Sequence, residues 1–169
     1  MPVSRGLKKR RTGMTQEALW PFSLEIYARD GVEATLLALQ DAHGQCAPFL
    51  LWALWMGASG RRADAATLAA GAALARSWQD VAVSPLRDIR RGLQRTVAPV
   101  RPAARRRLRE RVAALELEAE RMLLAMLEDA SPAPAATHTS PRRCLRDAIV
   151  AWGGTAPAEL VNRLAELAA

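Results

Sequence analysis

Residues 20–57 read WPFSLEIYARDGVEATLLALQDAHGQCAPFLLWALWMG, and this stretch decides the fold. It holds three of the chain's five Trp, both Phe and the single Tyr. From Pro48 to Met56 every residue is apolar. Pro48 belongs in a first helical turn, where its missing N–H costs nothing. A helix that is hydrophobic all round has to be enclosed by other helices. The apolar run from Cys46 to Ala58 is too short to cross a bilayer. Residues 48–56 are therefore the expected central helix of a bundle.

Working outward from it, Leu19, Phe22, Ile26 and Tyr27 share one face of a helix that begins near Thr15 or Pro21 and ends near Arg29, where Asp30-Gly31 stops it. Val32, Leu36 and Leu39 mark a second helix, from Val32 to Ala42, closed by Gly44. Beyond the central helix, Asp64 is a good N-cap for a fourth helix reaching Val81, with Leu68, Gly71, Ala72, Ala75 and Trp78 inward. Ser84-Pro85 opens a fifth, with Leu86, Ile89, Leu93 and Val97 on one face and Arg87, Arg91 and Arg95 on another. A long sixth helix covers residues 103–129, and Leu108, Val112, Leu115, Ala119, Met122 and Met126 form a heptad-like seam. That seam suits a bundle edge or a homodimer. Two short helices, about 142–152 and 155–168, close the chain.

The expected fold is thus all-α, a single-domain bundle of six to eight helices around residues 48–56. No strand alternation and no internal repeat is present. The expected organisation is a basic disordered arm at 1–14, a helical bundle domain at 15–129, a Pro/Ala/Ser linker at 130–141 and a C-terminal helical pair at 142–169. Ala, Leu, Arg and Glu dominate and only 5% of the residues are aromatic, a composition that favours helix. A chain of 169 residues buries roughly 70% of its unfolded surface.

The net charge of +7 is unevenly placed. Residues 1–12 carry +5, and residues 87–111, with ten Arg against Asp88 and Glu110, carry +8, which leaves the remainder at −6. Met14 offers an alternative start that would remove the first of these segments. Such an asymmetry points to an anionic partner. Arg makes up nearly all of the basic residues, however, and a charge run is commonly a solvated face. The sixth helix sharpens the point. Its first half is basic and its second half carries Glu116, Glu118, Glu120, Glu128 and Asp129. This order opposes the helix dipole, which favours acid first and base last.

Little in the chain points to catalysis. Phosphate-binding Gly loops, HExxH, CxxC and GxSxG are all absent. One polar cluster, Gln40, Asp41 and His43, sits between two apolar helices. It reads either as a capping turn or as a small site in which Asp41 orients His43 as a base. His43 and Cys46 with His138 and Cys144 lack the spacing of a zinc site, and neither a metal nor a cofactor is expected. The basic start runs into Thr12–Glu17 rather than an apolar stretch, so a signal peptide is not expected, and two cysteines suit a reducing cytoplasm.

Trp20, Phe22, Leu24, Tyr27, Gly31, Val32, Leu37, Leu39, Gln40, Asp41 and Gly44, followed by an apolar helix ending at Trp55, carry a resemblance. With its LQDxxG signature, the chain resembles a proteobacterial domain-of-unknown-function family of small conserved hypothetical helical proteins. It departs from that pattern after Gly44, where Cys46-Ala47 stands in place of a Val-Asn pair. The resemblance implies a helical, bacterial, cytoplasmic protein and brings no activity with it.

Two functions follow from these observations. The first is a non-enzymatic adaptor or regulatory protein that binds a partner protein through the fifth and sixth helices or the Gln40–Gly44 turn. The second is a nucleic-acid or ribosome-associated factor using the Arg-rich segment 87–111. Arg87, Arg91, Arg95, Arg105, Arg106, Arg107 and Arg109 are the candidate binding residues for either. A helix-turn-helix at Ala82–Ser84 is a weak fit, because Gln94 is the only base-reading Asn or Gln on the fifth helix.

Overall fold

The computed structural model describes residues 18–96, 98–135 and 139–169. The expected basic arm, Val97 and His138 lie outside the described residues. Among the described residues there are eight α-helices: α1 Leu19–Tyr27, α2 Val32–His43, α3 Ala47–Ala58, α4 Ala65–Trp78, α5 Ser84–Gly92, α6 Pro102–Asp129, α7 Pro141–Trp152 and α8 Ala158–Leu167. Among the described residues there is no strand, only an isolated bridge between Arg61 and Pro134. The fold is an all-α bundle, and α3 is its centre. Ten successive residues of α3, Pro48 to Gly57, are buried.

Helices α1, α4, α6 and α7 wrap α3, the contact with α7 being the most extensive. Small residues set the closest approaches. A Cβ on Gly71 of α4 would lie 2.6 Å from the Trp52 ring, and one on Gly57 would lie 2.5 Å from the Pro141 Cα. The indoles of buried Trp52 and of half-buried Trp78 and Trp152 find acceptors as well as apolar neighbours. Trp52 Nε1 donates to Ser131 Oγ at 2.8 Å, Trp78 Nε1 to the Ala119 carbonyl at 2.8 Å and Trp152 Nε1 to the Gly44 carbonyl at 2.8 Å.

The turns between α1, α2 and α3 are short and depend on glycine. Gly31 at φ 84° opens α2 and Gly44 at φ 62° closes it, in a region that side chains with a Cβ rarely adopt. α1 has no side-chain cap of its own. Its Leu19 N–H donates instead to Glu128 at the far end of α6, at 3.2 Å. Asp64 caps α4 as its sequence position predicts, accepting from the Thr67 N–H at 2.9 Å.

Two expectations are corrected. The chain does not turn at Ala82–Ser84. Gln79–Val83 is a π-helical stretch that joins α4 to α5 without a break, and the Ser84 N–H donates to the Gln79 carbonyl. This removes the geometry a helix-turn-helix needs. Pro85 supplies a reason: it has no N–H to donate, and its ring crowds the carbonyl four residues back, so the wider turn relieves both. The second correction concerns the faces of α5 and α6. On α5 the buried residue is Arg87, whereas Ile89 is half exposed. On α6 the buried residues are Val112, Glu116, Ala119, Leu123, Leu124 and Leu127, so Leu108, Leu115 and Met122 of the expected seam stand out in solvent.

Candidate functional site

A concavity with a buried apolar floor lies between α1, α2, α3, α5 and α6. It is a cleft of about 290 Å³. Leu36, Leu51 and Leu124, all buried, form its floor, and Trp20, Tyr27 and Pro48 are among its walls. Its rim is apolar and unusually open. Leu24 is 52% exposed, Leu37 42% and Leu117 55%, and Tyr27 is more than a third exposed. A gathering of exposed apolar side chains around a concavity, rather than any one of them, is what marks an interaction surface.

One wall is ionic. Arg87 Nε donates to Glu116 Oε1 and Arg87 Nη2 to Glu120 Oε1, each at 2.9 Å. Arg90 Nε donates to Glu116 Oε2, and Arg90 Nη2 to Glu116 Oε1 at 3.3 Å. The arrangement follows from helical spacing: Glu116 and Glu120 are one turn apart on α6, and Arg87 and Arg90 one turn apart on α5. The two carboxylates then titrate in opposite directions. Burial works against ionised Glu116, but the hydrogen bonds and the positive charges of Arg90 and Arg87 together outweigh it and hold its carboxyl below the usual value. Glu120 has Arg87 alone, and burial pushes its carboxyl up, with the neighbouring Glu116 charge adding to the rise. Burial also raises the Tyr27 hydroxyl, helped by the negative charges of Glu33 and Glu120.

The structure divides the residues singled out by sequence. Arg87 faces inward and is taken up by Glu116 and Glu120. Arg91 Nη2 donates to Asp41 Oδ1 at 2.7 Å on the surface. Arg95, Arg106 and Arg107 are exposed, and Arg105 donates to the Arg95 carbonyl at 2.6 Å. The Nε of half-buried Arg109 meets no acceptor. Gln40, Asp41 and His43 form the last turn of α2 rather than a separate loop. Gln40 lines the cleft and donates to Asp41 at 3.3 Å. Asp41 is thereby engaged by Gln40 and Arg91 and does not orient His43. Two residues apart on a helix, the Asp41 and His43 side chains do not face each other.

Sequence reasoning missed Arg90, Glu116 and Glu120 as a site, and it missed Gln45. Gln45 is fully buried, and its Nε2 donates to the Gly153 carbonyl at 3.3 Å, tying the α2–α3 turn to the end of α7. The only available signal for the ion network was the pair of one-turn spacings, on two helices far apart in sequence.

Among the described residues no group of three His, Cys, Asp or Glu side chains is gathered for a metal. Burial pushes the Cys46 thiol up to about 12 and the Cys144 thiol up to about 11, so both stay protonated near neutrality. Among the described residues no helix is long and apolar enough to cross a membrane.

The model of a family described as a protein of unknown function (DUF2390) matches residues 18–127. The chain belongs to this DUF2390 family. The match runs from the start of α1 almost to the end of α6, well past the first third on which the sequence resemblance rests. Every residue lining the cleft falls inside the DUF2390 region, whereas α7 and α8 fall outside it. No curated protein and no solved structure matches the chain.

Proposed function

We propose that this protein is a non-enzymatic adaptor or regulatory protein of the bacterial cytoplasm that docks an apolar segment of a partner protein in the α1–α2–α5–α6 cleft. The observation that carries the reading is the half-exposed rim of Leu24, Leu37 and Leu117 around a buried apolar floor. At about 290 Å³ the cleft is at or below the small end of the roughly 300–1,000 Å³ typical of small-molecule pockets. It is suited to one or two anchoring side chains of a partner, the mode in which a few buried residues carry most of the affinity. The partner segment therefore carries Leu, Met or Phe anchors. Two cysteines kept as thiols support a reducing compartment.

A second reading, a nucleic-acid or ribosome-associated factor, has its own support. No residue of α6 before Val112 is buried, so the segment with Arg105, Arg106, Arg107 and Arg109 stands clear of the core. With Arg95 it forms a basic surface, and binding through it falls steeply with salt.

One affinity capture from bacterial lysate separates the two. The wild type, a Leu37→Asp/Leu117→Asp variant and a variant with Arg105, Arg106, Arg107 and Arg109 changed to Gln are compared at low and high salt, with and without nuclease. The adaptor reading expects a discrete protein that survives salt, nuclease and the Arg changes and is lost with the two Asp substitutions. Capture that disappears with nuclease and with the Arg changes, while ignoring the Asp substitutions, overturns it in favour of the second.

A further inference from the structure

The stripe of α6 that the bundle leaves uncovered is separate from the cleft. Leu108, Leu115 and Met122 are each about half exposed. They recur every seven residues, so they lie along one side of the helix with only a slow drift, the spacing of a two-helix seam. Leu117, on the cleft rim, points to the opposite side of α6, two residues on from Leu115. At the edge of the stripe sit Arg111 and Glu118, themselves seven apart, both exposed, and neither held in an ion pair among the described residues.

The charge order of α6 selects the occupant. Arg105, Arg106, Arg107, Arg109 and Arg111 fill its first half, at the positive end of its own dipole, and acids fill its second half. Within one helix this order is unfavourable. Laid against a second copy running the other way, it becomes complementary along the whole seam, basic half on acidic half and dipole against opposed dipole. A parallel copy would instead stack five arginines on five arginines. We infer that the protein forms an antiparallel homodimer through α6, with the two-fold axis at Leu115.

In this dimer Leu115 meets Leu115 of the second copy and Leu108 meets Met122. Arg111 of each copy faces Glu118 of the other, so a single type of ion pair forms twice, as two-fold symmetry requires. The apolar contacts hold the seam and the charges fix its direction, the division of labour usual in paired helices. The inference needs nothing from the cleft and leaves its rim open.

The test uses the full chain in analytical ultracentrifugation at low and high salt. A dimer is expected, with Leu115→Glu reducing it to a monomer whose helical circular dichroism is unchanged, since Leu115 lies outside the core. Arg111→Glu weakens the dimer at least several-fold, and Arg111→Glu/Glu118→Arg restores it. Direction is read by mixing copies carrying Arg111→Cys with copies carrying Glu118→Cys under oxidation, where the mixed disulfide is expected to dominate. A wild type that stays monomeric at every concentration, or a dimer that survives Leu115→Glu, overturns the proposal. So does a predominance of Arg111→Cys coupled to itself, which would mean a parallel pairing.

Discussion

Gly71 is the residue on which the packing of α4 against α3 turns. A methyl group there would meet Cη2 and Cζ3 of Trp52 at 2.6 and 2.7 Å, and Trp52 is held by its hydrogen bond to Ser131 and by stacking on Phe49. The ring cannot swing aside without giving up both. Gly71→Ala should therefore destabilise the protein by about 1–3 kcal/mol through overpacking, despite the better helix propensity of Ala. Urea denaturation measures this directly, and a stabilised variant would show that the ring yields. Glu116 is the other decisive residue. It compensates two guanidinium groups, and Glu116→Ala leaves Arg87 buried with Glu120 alone. A loss of about 3 kcal/mol is expected, the lower end for a broken buried pair because Arg90 is a quarter exposed. Its pH dependence has a definite sign. The folded-state carboxyl of Glu116 lies below its ordinary 4.5, so its ionised form stabilises the fold above that value and the contribution is lost as pH falls through the folded value. Glu120 runs the other way, stabilising the fold below 4.5 and losing that contribution as pH rises. Urea midpoints should thus show the gap between wild type and Glu116→Gln closing on acidification. Glu120→Gln, which mimics the protonated carboxyl, should instead be the more stable protein at neutral pH, and that advantage should fade over the same range.

At the scale of elements, α3 was readable from one end to the other. Pro48 at its start and an unbroken apolar run leave it nowhere to go but the centre. The glycine stops at Gly31 and Gly44 and the Asp64 cap were equally plain, because each acts within a few residues of itself. The face of α5 was not readable. Leu86, Ile89 and Leu93 form its only apolar stripe, and periodicity puts them inward. The protein turns Arg87 inward instead, because Glu116 and Glu120 wait there 29 and 33 residues along the chain. No window centred on α5 contains that fact. The cleft was hidden for the same reason, since its rim is assembled from α1, α2 and α6. The π-helical stretch Gln79–Val83 sets the phase of α5, because one residue more or less rotates a helix by about 100°. Deleting Ala82 should turn this stretch into ordinary α-helix, swing Arg87 and Arg90 away from Glu116, and cost roughly as much as Glu116→Ala. Amide hydrogen exchange should show α5 losing protection while α3 keeps it. Uniform loss across the protein would mean that α5 and the core form one cooperative unit.

For the molecule as a whole, the question is whether residues 142–169 are an appendage. They follow a Pro- and Ala-rich segment, and the DUF2390 match ends before them at residue 127. Yet α7 places Cys144, Leu145 and Ala148 in the same core cluster as Phe49, Leu50 and Leu54 of α3. Gly57 leaves room for the Pro141 backbone and for nothing larger. Gln45 and Trp152 tie the end of α7 back to the α2–α3 turn, and Arg29 donates to the Leu167 carbonyl at the end of α8 at 3.1 Å. Removing α7 and α8 would uncover one side of a helix that has no polar face to turn outward. At roughly 25 cal/mol per Å² of apolar surface returned to water, a few hundred Å² is enough to cancel a net stability of about 5–15 kcal/mol. A chain ending at Asp129 should therefore show no cooperative thermal transition and should bind a hydrophobic dye, although it keeps the entire region shared with the family. Adding residues 130–169 as a separate peptide should restore the transition, since the missing piece acts by covering α3. A truncated chain that melts cooperatively would make α7 and α8 an addition to an independently folding unit. The cleft, built wholly from α1 to α6, would then be available for study in that smaller protein.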